Sequence, residues 1–143
     1  MPAATTTSFD QALREFFRAA RRARGRAAAL AGPVSLAQFH LLEPLLGEPH
    51  TIGRLACAAD VAPPTATRML DGLVERGLVA RTPHPTDRRV VLVALTDEGR
   101  EVVEVKRAEF AAARARVAAG LTDEERTRAA EILRKLAAVL EEL

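Results

Sequence analysis

A chain of 143 residues that is 48% apolar has enough hydrophobic material to enclose one core, which sets wholesale disorder aside. Five Phe with no Tyr or Trp leave that core to Leu, Val and Ala, and argue against stacking on unpaired bases. The net charge is only +2 but uneven: residues 1–33 carry six Arg against Asp10 and Glu15, while residues 96–143 carry more acids than bases. A basic front and an acidic rear suit a chain that turns one face to a polyanion; the plainer reading is that the charges solvate helices.

Residues 1–7 are small and polar and are expected to fray. Ser8-x-x-Gln11 has the capping-box pattern, and a first helix then runs to about Leu30, with Phe9, Leu13, Phe16, Phe17 and Ala20 at helical spacing and Gly32-Pro33 as its stop. Ser35-x-x-Gln38 opens a second helix carrying Leu36, Phe39, Leu42, Leu45 and Leu46, in which Pro44 forces a kink or an early stop. Thr51 can cap a short third helix with Ile52, Leu55 and Ala56 inward, followed by a turn at residues 60–62. Pro63-Pro64 starts a fourth helix, since proline is tolerated where its missing N–H is not needed. Its buried stripe is Met69, Leu70, Leu73 and Val74, and Gly77 is placed to close it in the left-handed conformation.

The period then changes from helix to strand. The runs 78–82 and 89–95 favour β structure and are joined by Pro83-His84-Pro85-Thr86-Asp87-Arg88, a hairpin loop stiffened by two prolines. Thr96-Asp-Glu-Gly opens a long helix ending near Gly120, and Thr122-x-x-Glu125 caps a last one bearing Ala129, Ile132, Leu133, Leu136, Val139, Leu140 and Leu143. The fold class is mainly α with a small β-hairpin wing: a winged helix-turn-helix with further helices at both ends.

With its stripe inward, the fourth helix turns Pro64, Arg68, Asp71 and Glu75 outward, with Thr65 and Thr67 on the flanks. Its first half is polar and basic, the pattern of a helix entering the major groove by its N-terminus, where Thr and Arg can reach base edges. The plainer reading is a surface face on which Arg68 pairs with Asp71 at i, i+3. The exposed Asp87-Arg88-Arg89 suits a tip that enters a narrow minor groove, against the plainer reading of a solvated turn.

In this order, Thr51-Ile-Gly-Arg-Leu-Ala, the run from Pro63-Pro-Thr-Ala-Thr-Arg-Met-Leu to Leu73-Val-Glu-Arg-Gly-Leu-Val79, Asp87-Arg-Arg and Leu95-Thr-Asp-Glu-Gly99 resemble the MarR family of bacterial regulators. The resemblance covers nearly the whole chain; Pro63-Pro64, where a Ser or Thr cap is commoner, and Pro44 depart from the pattern. It implies one domain over 1–143, with dimerisation helices at 8–31 and 97–143 around a DNA-binding core at 34–95. It also implies a homodimer on a pseudo-palindromic double-stranded DNA operator, with Pro64, Thr65, Thr67 and Arg68 at the major groove, Arg88 in the minor groove, and Asp87 and Arg89 supporting the wing. It further implies a repressor relieved by a small-molecule effector, as many members are, with release by thiol oxidation and activators as other forms; Phe17, Phe39 and His40 are the candidates for lining an effector site.

The alternative from another class is a winged-helix module that binds a polypeptide and reads no DNA sequence. No phosphate loop, His-Glu-x-x-His or Ser/His/Asp framework calls for an enzyme, so no catalytic residue is expected. The single cysteine, Cys57, precludes an intramolecular disulfide, and His40, His50 and His84 lack ligand spacing, so neither metal nor cofactor is expected. Cys57 is more simply an inert thiol than a redox sensor. No apolar run approaches the ~20 residues of a membrane span, and a cytoplasmic location is the default.

Overall fold

The computed structural model describes residues 3–29 and 32–143, with residues 3–7, 28 and 29 given by backbone alone. They fall into two compact units, 1–103 and 104–143, and each is taken by itself.

In the first unit α1 spans Ala3–Ala29. It begins upstream of the expected start at Ser8, because nothing between Ala3 and Ser8 breaks a helix. Ser8 therefore has no orphan N–H to cap, and the Gln11 amide donates instead to Glu15 Oε1 at 3.1 Å. The expected end at Leu30, with Ala31, lies outside the described residues. α2 (Leu36–Leu42) has the full capping box: the Gln38 N–H donates to Ser35 Oγ at 3.2 Å and the Ser35 N–H to Gln38 Oε1 at 2.9 Å. Pro44 stops the α-helix at Leu42, and the chain continues as a 3₁₀ turn over Glu43–Leu46. Thr51 caps α3 (Ile52–Ala59), accepting the Arg54 N–H at 3.3 Å. Asp60, left-handed at φ 55°, then turns the chain, and α4 occupies Pro63–Glu75.

Gly77, at φ 73°, closes α4: its N–H donates to Val74 O at 3.0 Å, and that of Leu78 to Leu73 O at 3.0 Å. Leu78 thus belongs to the helix stop, and the strand expected from it begins one residue later. β2 (Val79–Pro83) and β3 (Val91–Leu95) pair antiparallel from Val79 with Leu95 to Pro83 with Val91. A strand the sequence did not announce, β1 (His50–Thr51), pairs with the other side of β3, giving the order β1-β3-β2.

The core lies between α2, α3, α4 and the sheet. Leu41, Leu42, Leu45, Leu55, Leu70, Leu73, Val79 and Val93 are wholly enclosed, with Phe39 as its aromatic member. Ala66 is buried as well, which narrows the inward stripe of α4 to Ala66, Leu70 and Leu73 while Met69 and Val74 stand at its edge. α5 (Asp97–Ala119) starts against the root of the hairpin. The Thr96 N–H donates to Leu78 O at 3.1 Å, the Thr96 hydroxyl to Gly77 O at 2.6 Å, and the Gly99 N–H to Thr96 Oγ1 at 3.0 Å. A Cβ on Gly99 would stand 1.8 Å from Leu78 O, so only glycine allows this approach. From the same turn Arg100 donates to Leu46 O at 3.1 Å.

The second unit holds the rest of α5 and α6 (Asp123–Glu141). Thr122 and Glu125 form the expected capping box, and Arg126 Nε donates to Ala118 O at 2.8 Å, satisfying a carbonyl at the end of α5. None of its residues is buried, and Val117, Ile132, Leu133, Val139 and Leu140 are all exposed. Among the described residues no helix is long and apolar enough to cross a membrane.

Candidate nucleic-acid interface

Burial of Ala66, Leu70 and Leu73 fixes the rotation of α4 about its axis, so Pro64, Thr65, Thr67, Arg68, Asp71 and Glu75 are all exposed on it. Ala62, at the N-cap, makes no side-chain cap bond; the prolines at the first two positions set the start. They also remove two N–H groups, so the first turn has little backbone to offer an anion and contact must come from side chains. The Thr67 hydroxyl donates to Pro63 O at 3.0 Å, so its oxygen remains free to accept, and the residue is exposed.

The expected Arg68–Asp71 pairing is absent. Asp71 is engaged by Arg81 of β2, and the Arg68 guanidinium has no hydrogen bond or ion pair among the described residues. Sequence spacing missed this partner because the two residues meet only after the chain has turned through Gly77 into the hairpin. The pair ties the middle of α4 to the wing strand and masks the acid nearest Arg68.

At the wing the chain leaves the ladder after Pro83 and rejoins it at Val91. The loop is internally bonded. The His84 N–H donates to Val90 O and the Val90 N–H to Asp87 O, each at 3.1 Å. Asp87 Oδ1 accepts the Arg89 N–H at 3.0 Å and Arg89 Nε at 3.3 Å. The Arg89 backbone N–H, then its side chain, hold the Asp87 carboxyl below its ordinary value of 3.8, with a smaller part from His84. Arg89 is committed to the wing, whereas Arg88 has no partner for its N–H or guanidinium among the described residues. Of the proposed contact residues, then, Arg68 and Arg88 are the uncommitted cations, Asp87 and Arg89 bind each other, and Pro64, Thr65 and Thr67 border Arg68.

Two of the residues considered for an effector are neighbours and the third lies on another helix. Phe39 is in the core, His40 is exposed with its ring 5.7 Å from that of Phe39, and Phe17 is exposed on α1. The groove along Phe17, about 680 Å³, is lined, among the described residues, by those of α1, including Arg14, Arg18 and Arg21. Cys57 is exposed on α3. Among the described residues no cluster of three His, Cys, Asp or Glu could hold a metal ion. Sequence reasoning missed His84, whose imidazole accepts bonds inside the loop; the signal was an acceptor side chain just ahead of Pro85.

Fold and surface together define a winged helix-turn-helix protein whose exposed helix and wing tip each present a guanidinium, Arg68 and Arg88, that is unengaged among the described residues. The MarR family model matches residues 34–91. A MarR family protein from Bacillus stearothermophilus is 30% identical, covers 99% of both chains and superposes with a TM-score of 0.71. The chain belongs to the MarR family. The HTH-type transcriptional repressor MdtR of Bacillus subtilis is 40% identical over 90 residues, which are 63% of this chain and 58% of that protein. The chain spans little more than half the length of the curated relatives it matches, 53% for the first of them. In fold it is also similar to Streptococcus pneumoniae FabT, solved in complex with DNA, at 23% identity over 95% of this chain and 97% of that one, TM-score 0.78.

Proposed function

We propose that the protein is a homodimeric regulator of transcription that binds a pseudo-palindromic double-stranded DNA operator. Thr65, Thr67 and Arg68 face the major groove beside Pro64, and Arg88 enters the minor groove on a wing braced by Asp87 and Arg89. The observation that carries this reading is the disposition of charge. Arg68 and Arg88 are exposed and unengaged, while the neighbouring groups that would compete for them, Asp71 and Asp87, are bound to Arg81 and Arg89. A guanidinium held ready and unpaired suits bidentate contact with guanine or insertion between phosphates.

Dimerisation is supported by the apolar side chains left exposed on the terminal helices, Phe9, Phe16 and Phe17 on α1 and Ile132, Leu133, Val139 and Leu140 on α6. Repression is the sense of action supported by the likeness to MdtR, and relief by a small molecule completes the proposal. A fold shared with FabT, solved with DNA, is in keeping with the docking.

The test is binding to the DNA upstream of the protein's own coding sequence against a scrambled duplex, across a salt series. The expected result is tight, sequence-preferring binding that weakens with salt and needs two half-sites about one helical turn apart. Arg68→Ala should cost about 1–3 kcal/mol and flatten the sequence preference, and Arg88→Ala should weaken binding. Variants indistinguishable from wild type on every duplex would overturn the reading, and a monomer at micromolar concentration would overturn the dimer.

A further inference from the structure

His84 is the first residue after β2 and is half-buried. Its Nδ1 lies 3.2 Å from the Thr86 N and 3.1 Å from the Asp87 N, with the Thr86 hydroxyl at 3.3 Å. Two backbone N–H groups, two and three residues on, converging on one side-chain acceptor is the arrangement asparagine or aspartate makes in an Asx turn. Nδ1 of imidazole and Oδ1 of asparagine are separated from Cα by the same number of bonds, so His84 fills that role. Because both backbone groups facing Nδ1 are donors and the Thr86 hydroxyl can turn to donate as well, this nitrogen keeps its lone pair and the ring proton sits on Nε2.

The consequence reaches the wing tip through a short chain of bonds. His84 accepts the Asp87 N–H; Asp87 accepts the Val90 N–H with its carbonyl and binds Arg89 with its carboxylate; Arg88 is carried between them. We propose that His84 is the positioning residue of the wing: as the neutral Nε2–H tautomer it orders Thr86 and Asp87 and so presents Arg88, and protonation at Nδ1 releases them. A proton on Nδ1 would face two N–H groups directly, and the turn must open.

Asp87 is the charged group recorded against the ring; Arg88 and Arg89 are the other charges of the loop, while Pro83 on β2 and Val90 and Val91 on the facing side carry none. The Asp87 carboxylate favours an imidazolium electrostatically, but it is bound to Arg89, and the same protonation removes the acceptor of Asp87's own N–H. On the reading of the wing as a DNA contact, which this step assumes, acidification lowers operator affinity. That sign opposes simple electrostatics, in which an added positive charge strengthens binding to a polyanion.

The test compares the full-length wild type with His84→Asn, which keeps an acceptor at that position without titrating, and His84→Ala, which removes it. Each is studied at about pH 8 and about pH 5.5, spanning the range in which imidazoles change charge. Backbone order at residues 85–89 is read by NMR relaxation without DNA, and affinity is read on a duplex enriched from a random library by the wild type at the higher pH. The wild-type loop should be ordered only at the higher pH, the Asn variant at both and the Ala variant at neither; wild-type affinity should fall about tenfold more than that of the Asn variant on acidification. An ordered loop in His84→Ala, or the same pH response in wild type and His84→Asn, overturns the proposal. If the loop behaves as expected while no duplex is enriched, the positioning role stands and the DNA reading falls.

Discussion

Replacing Gly99 by alanine tests whether the wing root and α5 are joined as described. The new methyl would meet Leu78 O at 1.8 Å and must withdraw beyond 3.0 Å, so backbone has to move by more than an ångström. The struck atom is the acceptor of the Thr96 N–H, so the clash also loosens the bonds that tie the start of α5 to the turn at Gly77 and Leu78. Overpacking of this kind costs about 1–3 kcal/mol. The weakened bonds add about 1 kcal/mol, and the better helix propensity of alanine offsets about 1 kcal/mol. The expected net loss is roughly 1–3 kcal/mol. Gly72→Ala is the control: it is helical, its Cβ would meet nothing within 4 Å, and it should gain about 0.5–1 kcal/mol. Urea unfolding at one fixed protein concentration measures both, since self-association would otherwise alter the midpoint. A Gly99→Ala protein as stable as the Gly72→Ala control would refute the close approach.

Asp71→Asn should change stability by less than about 1 kcal/mol, because the Arg81 pair is exposed and screened, yet it should raise affinity for unrelated duplex DNA by unmasking positive charge beside Arg68; a thermal melt and a binding titration check the two halves. Ser35→Ala removes the α2 cap and should lose about 1 kcal/mol in the same urea assay. The Asp87 carboxyl titrates below its ordinary value, so its ordering of the loop is present above that range and is lost as pH falls through the lowered one. Because the Arg89 backbone N–H is the first cause and survives the change, Arg89→Ala should leave the carboxyl still below its ordinary value; a side-chain NMR titration returning fully to the ordinary value would count against this.

The helices and the hairpin were legible because each carries its own local signal: capping at Ser35, Thr51 and Thr122, the ring-set start at Pro63-Pro64, and the left-handed close at Gly77. β1 was not, since two residues are too few to show a period and their pairing depends on β3 some forty positions away. Ala66 was missed as a core residue because a small side chain adds little to an apolar stripe. At the candidate interface the exposed face of α4 followed from its stripe, but the partner of Asp71 did not. Residues ten apart on different elements meet by tertiary register alone, and only that register reveals which arginine is left over. The start of α1 was misplaced because Ser8-x-x-Gln11 carries a capping pattern inside a stretch that has no breaker to require one.

The paired rings at the start of α4 bear on the thermodynamics of any encounter. They restrict the unfolded chain, so the helix meets its target with the first turn already ordered and little conformational entropy left to lose there. The heat-capacity change on association should then follow the apolar area covered, without the extra component that accompanies folding on contact. On the proposed docking this helix meets DNA as a rigid body, and adjustment at the contact falls to the flexible ends of Arg68 and Arg88.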